Sequence, residues 1–193
     1  MRHPVAVPQG FQSPSSLAGR VLAAAPSLQD PNFSEALVFV VDHGPDGAMG
    51  LITNRPAGVR LGDVALGSGP VPEALNDVLV YAGGPVQSEG LLLAVFRQVG
   101  TEERIAGQVG LPIDEIASML DQPGVWVRAF MGYSGWAKGQ LEGEIAARHW
   151  IVRDPHPGLF RPDFAPGLWA LFVSGNRAWR RLVPYLPADP TRN

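Results

Sequence analysis

Hydrophobic positions along this chain come in short, mostly unbroken runs separated by glycine, proline and aspartate, the spacing of strands and turns. Arg20–Ala25 reads as a first short strand, and Pro26-Ser27-Leu28-Gln29-Asp30-Pro31 as a turn that proline keeps from becoming helical. Leu37–Val41 is a continuous apolar strand. It is followed by Asp42-His43-Gly44-Pro45-Asp46-Gly47 and a second strand, Ala48–Thr53, the pattern of a β-hairpin. Asn54-Arg55-Pro56 ends that strand, because proline donates nothing to a ladder. Leu61–Leu66 fits one or two helical turns, and Gly67–Asn76 is a loop. Val78–Ala82, Gly90–Phe96 and Arg104–Val109 follow as strands. Ile113–Leu120 places Ile113, Ile116, Ala117 and Leu120 on one helical face. A strand over Val125–Met131, another at Trp150–Val152, and helices over Gly167–Ser174 and Ala178–Tyr185 complete the pattern. No repeat and no linker interrupts it. The expectation is one α+β (mixed α/β) domain, residues 18–193, with an antiparallel component, behind a disordered lead, 1–17.

The chain is organised around Phe130–Trp150. A strand there passes through Gly132 into a predicted helix capped by Ser134, whose hydroxyl would accept a free N–H of the first turn. Gly135, Gly139, Gly143 and Ala147 recur every fourth residue, so that helix would carry a ridge almost free of side chains. Each interior glycine costs about 0.5–1 kcal/mol relative to alanine. A strand or ligand packed against the bare backbone would offset that cost.

Composition narrows the function classes. The 193 residues suit one domain with a sizeable core, and the absence of cysteine excludes disulfides, thiolate metal sites and cysteine nucleophiles. No apolar run approaches the length of a membrane span. The lead lacks the hydrophobic region of a signal peptide, and the cytoplasm is the expected compartment. Net charge is −3 but uneven: residues 1–145 carry 8 Lys/Arg against 15 Asp/Glu, and residues 146–193 carry 7 against 3. Arg177, Arg180 and Arg181 make the tail basic, yet no helix-turn-helix or zinc spacing frames them, so nucleic-acid binding is disfavoured.

Candidate chemistry is sparse. Gly132-Tyr133-Ser134-Gly135-Trp136 approaches a nucleophile elbow, but Trp136 stands where that motif needs its second glycine. Glu142 and Glu144 diverge on a helix and cannot share a substrate. His43 is of the residue type that serves as acid or base, but the sequence places no carboxylate beside it. His149, Asp154 and His156 give only a faint metal pattern, so no metal and no cofactor are assigned. If Asn54-Arg55-Pro56 and Gly83-Gly84-Pro85 meet at one end of the sheet, Arg55 and glycine N–H groups would form an anion-binding corner. Asn54, Arg55, Gly83, Gly84, Gln140 and Glu142 are the candidate ligand-binding residues, and no catalytic residue is assigned.

Several of these pieces stand together in an order that resembles the YqgE/AlgH family. They are Leu28-Gln29-Asp30-Pro31-Asn32-Phe33, His43 with Gly47-Ala48-Met49-Gly50-Leu51-Ile52-Thr53-Asn54-Arg55-Pro56, Gly83-Gly84-Pro85-Val86, and Gly132 to Ile145. The resemblance spans roughly Arg20 to Trp169. It departs at Arg177–Asn193 and at Ala94, where the family often has histidine. It implies a mixed, largely antiparallel sheet folded into a pseudo-barrel with flanking helices, in a cytoplasmic bacterial protein. It carries over no catalytic residue and no cofactor. The family name derives from a proposed role in regulating alginate production, and members are labelled transcriptional regulators. The functional expectation is a regulatory or scaffolding protein that binds a protein partner. Direct DNA binding and a small-molecule site at the Asn54/Arg55/Gly84 corner are the alternatives.

Overall fold

The computed structural model describes residues 16–64, 70–100, 104–160 and 167–175. Nine strands and three α-helices follow one another among them: β1 (Val21–Ala24), β2 (Leu37–Gly44), β3 (Gly47–Ile52), β4 (Pro56–Arg60), β5 (Leu79–Ala82), β6 (Val86–Val99), β7 (Arg104–Val109), α1 (Ile113–Ala117), β8 (Val125–Ala137), α2 (Gln140–Ala146), β9 (Trp150–Arg153) and α3 (Leu168–Ser174). The predicted helix over Ala178–Tyr185 and the arginines at 177, 180 and 181 lie outside the described residues.

The strands form one mixed sheet curled into a half-barrel, in the order β4-β5-β8-β3-β2-β1-β9, with β6 also on β8 and β7 on β6. The β2–β3 hairpin forms where the turn residues predicted it, closing at Gly44↔Gly47. β8 joins the two halves. Its first part pairs in parallel with β5 and antiparallel with β6, and Gly135–Ala137 together with Ser134 pairs with β3. β4 is an addition to the expected strands. Pro56 does close the ladder of β3, but it then opens this exposed strand, whose first position needs no N–H.

Strand alternation sorts the apolar residues into three layers. Leu37, Phe39, Leu51, Tyr81, Phe96, Phe130 and Phe160 fill the inside of the half-barrel. Leu22, Val38, Val40, Trp136, Leu141 and Trp150 form an outer layer beneath α2. Val80, Val95, Ile116, Met119 and Ala129 form another beneath α1. Neighbouring residues of β2 thus belong to opposite layers, as the two-residue strand period requires. The barrel curls tightly enough that a Cβ on Gly107 of β7 would stand 2.6 Å from the ring of Phe39 on β2.

One prediction fails at the centre. The helix expected from Ser134 begins only at Gln140, and Ser134 lies within β8, fully buried, with its hydroxyl donating to the carbonyl of Gly83 at 3.3 Å. It caps nothing. Pairing with β3 holds the backbone extended through Ala137, and this outweighs the local preference for a helix start.

Candidate functional site

The motif residues converge on two places, a backbone crossing and the seat of α2. At the crossing, Gly84 runs against Tyr133 and Gly132 against Gly84. A Cβ on Gly84 would stand 2.3 Å from the Tyr133 carbonyl carbon, and one on Gly132 would stand 2.5 Å from the Gly84 oxygen. Gly83 donates to Met131 O at 2.8 Å and accepts from Ile52 N at 2.9 Å, tying β3 and β5 to β8. Glycines are required here because backbone meets backbone.

Asn54 and Arg55 lie beside this crossing but turn toward the loop ahead of β2. Asn54 accepts from Leu37 N through Oδ1 and donates to Glu35 O through Nδ2, both at 2.8 Å. The two terminal nitrogens of Arg55 donate to the carbonyls of Asn32 and Ser34, each at 2.6 Å, and desolvation lowers its pKa. Gln140 and Glu142 are elsewhere, on α2. The six candidate residues therefore divide into two groups by their hydrogen-bond partners. Four gather at the crossing and two at the helix.

At α2, Gln140 accepts from Ala137 N at 3.0 Å, closing the turn out of β8, and donates to Glu144 Oε1 at 2.9 Å. Glu144 Oε2 accepts both indole N–H groups, from Trp136 at 2.9 Å and Trp150 at 2.7 Å. Phe33 packs edge-on to Trp150, with ring centres 5.2 Å apart. Glu142 points the other way, as its spacing from Glu144 dictates, and meets His43 Nε2 at 3.0 Å. The carboxylate partner that the sequence did not place beside His43 is thus supplied by a helix 99 residues away. His43 Nδ1 accepts the Leu17 N–H at 3.2 Å, so the ring is the tautomer with its proton on Nε2, donating to Glu142.

The predicted glycine ridge is not a close-packed joint. Gly135 lies in β8, and among the described residues a Cβ on Gly139 or Gly143 would meet nothing within 4 Å. Gly139 has φ 75, a value suited to glycine, but Gly143 is an ordinary helical residue with open space beside it.

The most buried charge among the described residues was missed in the sequence. Arg128 of β8 is 3% exposed, donates to Thr53 O at 3.0 Å, and lies 4.2 Å over the ring of Tyr81. Desolvation pulls its pKa down to about 10, against an opposing effect of Tyr81. The signal was present: Trp126, Arg128 and Phe130 share one strand face, which puts a cation in an apolar stripe. Of the faint metal set, Asp154 pairs with Arg20 at 2.9 Å and His156 Nδ1 accepts from Gly158 N at 3.0 Å. No three His, Asp or Glu side chains come together among the described residues.

Residues 21–175 match a protein-family model described as AlgH-like. A UPF0301 protein of Streptomyces coelicolor is 35% identical over 95% of this chain and 99% of its own length. A UPF0301 protein of Stutzerimonas stutzeri is 38% identical over 76% of this chain and 82% of its own. The solution structure of the AlgH protein from Pseudomonas aeruginosa superposes with a TM-score of 0.64 at 26% identity, covering 91% of this chain and 96% of that one. Protein DIP2367 from Corynebacterium diphtheriae has the same fold, with a TM-score of 0.60 over 86% of this chain and 90% of that one.

Proposed function

The chain belongs to the AlgH-like family, and from that premise we propose that it acts by binding a protein partner, as a regulatory or scaffolding protein of the bacterial cytoplasm. Gly143 carries this reading. An exposed glycine inside a helix weakens it by about 0.5–1 kcal/mol relative to alanine, and nothing among the described residues approaches closely enough to require it. Close approach by another molecule's backbone would require it. The polar motif residues support the same reading from the other side. Asn54, Arg55, Gln140 and Glu144 are engaged in holding loops, helix and sheet together, which leaves recognition to the outer surface. Among the described residues no helix is long and apolar enough to cross a membrane.

Gly143→Arg tests the proposal, because the open space lets the side chain leave the fold intact. The variant should melt with the wild type yet lose the proteins that cross-link to the wild-type chain in cells. An unchanged cross-linking pattern refutes a partner surface at α2. Promoter and scrambled duplexes in fluorescence anisotropy at about 150 mM salt, where exposed charges are largely screened, should bind equally weakly. Submicromolar binding that prefers the promoter would instead make the protein a transcription factor.

A further inference from the structure

We propose that His43 is a proton-operated latch holding the segment Ser16–Ala18 against the β2–β3 hairpin. Two hydrogen bonds run from the segment to the hairpin, and a third braces the segment itself. Ser16 Oγ donates to His43 O at 3.2 Å, Leu17 N donates to His43 Nδ1 at 3.2 Å, and Ala18 N donates to Ser16 Oγ at 3.3 Å. Of the three, only the Leu17 bond depends on a lone pair that a proton can remove. The side chain of His43 is 9% exposed and that of Glu142 54%, so the ring is enclosed while its partner faces solvent.

Taking up a second proton acts oppositely on the two sides of the ring. Nε2 still donates to Glu142, now as an ion pair, so the imidazolium stays on α2. Nδ1 becomes a donor facing the donor N–H of Leu17, and that contact has to open. The ring therefore keeps the helix and releases the Leu17 backbone, while Ser16 stays bonded to His43 O. Of the surrounding elements, α2 brings Glu142, whereas Glu144 is taken by the two indoles. Ser16–Gly19 brings no ionisable side chain, and the residue paired with His43 across the hairpin is Ala48. Asp42 and Asp46 belong to the hairpin itself and Lys138 to the turn ahead of α2. Leu17 packs against the outer layer that also seats Leu141 of α2, so release uncovers apolar surface beside that helix as pH falls.

Amide hydrogen exchange resolved at Leu17 and Gly19, followed from pH 8 downward, tests the latch. Leu17 protection should fall about tenfold per pH unit on the approach to the midpoint of the His43 ring from higher pH, the slope of one proton taken up on opening. Gly19, whose N–H is bonded to Val40 O at 2.8 Å, should keep its protection and serves as the internal reference. His43→Asn retains an acceptor near the Nδ1 position but cannot take the proton, and should hold Leu17 at one protection level throughout. Three results overturn the proposal: wild-type protection that does not change with pH, the same decline in His43→Asn, or Gly19 opening in step with Leu17. Should His43→Asn fail to fold, the wild type still decides. Its Leu17 amide shift must titrate with the same midpoint as the His43 ring proton Hε1, and two different midpoints reject the latch.

Discussion

Glu144 accepts three hydrogen bonds on two oxygens, a geometry that suits a carboxylate and no other side chain of its size. Glu144→Gln turns an amide NH2 toward either the indoles or Gln140, leaving donor against donor. It should cost about 1–3 kcal/mol, read as a lower melting temperature and a changed tryptophan emission. Glu142→Gln touches one bond whose carboxylate faces solvent and should cost less than about 1 kcal/mol. Equal melts for the two variants would remove Glu144 as the anchor of α2. Arg128 works at the same scale. Arg128→Ala empties the space over Tyr81 and leaves the Thr53 carbonyl without its donor, for an expected loss of about 2–5 kcal/mol by chemical denaturation. A loss within error of zero would mean that the inner layer closes over the gap.

At the scale of one element, α2 is built with two local weaknesses that can be repaired. Arg148 follows its C-terminus at φ 62, where His149 N bonds Glu144 O and Arg148 N bonds Ile145 O, both at 2.9 Å. That left-handed position favours glycine. Arg148→Gly should stabilise by about 0.5–1 kcal/mol, the relief of left-handed strain exceeding the added freedom of the unfolded chain. Gly143→Ala should gain a similar amount, about 0.5–1 kcal/mol, because the methyl enters open space. Thermal melts check both, and a drop for Gly143→Ala would place an unseen constraint on that face. Gly139 corrects an expectation from its spacing. Among the described residues a Cβ at Gly139 meets nothing within 4 Å, so the cost of Gly139→Val comes from φ 75 and not from a clash at that atom.

At the scale of the molecule, β8 belongs to both halves of the sheet, so neither half keeps its ladders without the other. Unfolding should be one transition, with tryptophan fluorescence and far-UV circular dichroism superimposing in denaturant. Two separated transitions would show that the halves fold independently. The crossing at Gly84 is where a small change should act on both halves. Gly84→Ala forces a methyl into the Tyr133 backbone at φ 152 and should cost about 3 kcal/mol.

Strand order along the chain, the hairpin at Pro45-Asp46, the α+β class and the short helices α1 and α3 were legible in the sequence. Their signals are local: a two-residue or 3.6-residue period, and turn residues at fixed offsets. The motif order around Asn54, Gly84 and Gln140 likewise pointed to the family. The extent of β8 was not legible. Gly132 to Ala137 looks like a turn into a helix, and only pairing with β3, some 85 residues earlier by Met49↔Gly135 and Gly50↔Ser134, keeps it extended. The partners of the polar motif residues were decided in the same way. Spacing could separate Glu142 from Glu144, but it could not say that one would meet His43 and the other two tryptophans. A side chain's hydrogen-bond partner across a barrel is set by how the sheet curls, and curvature is a sum over all the strands that no single stretch records.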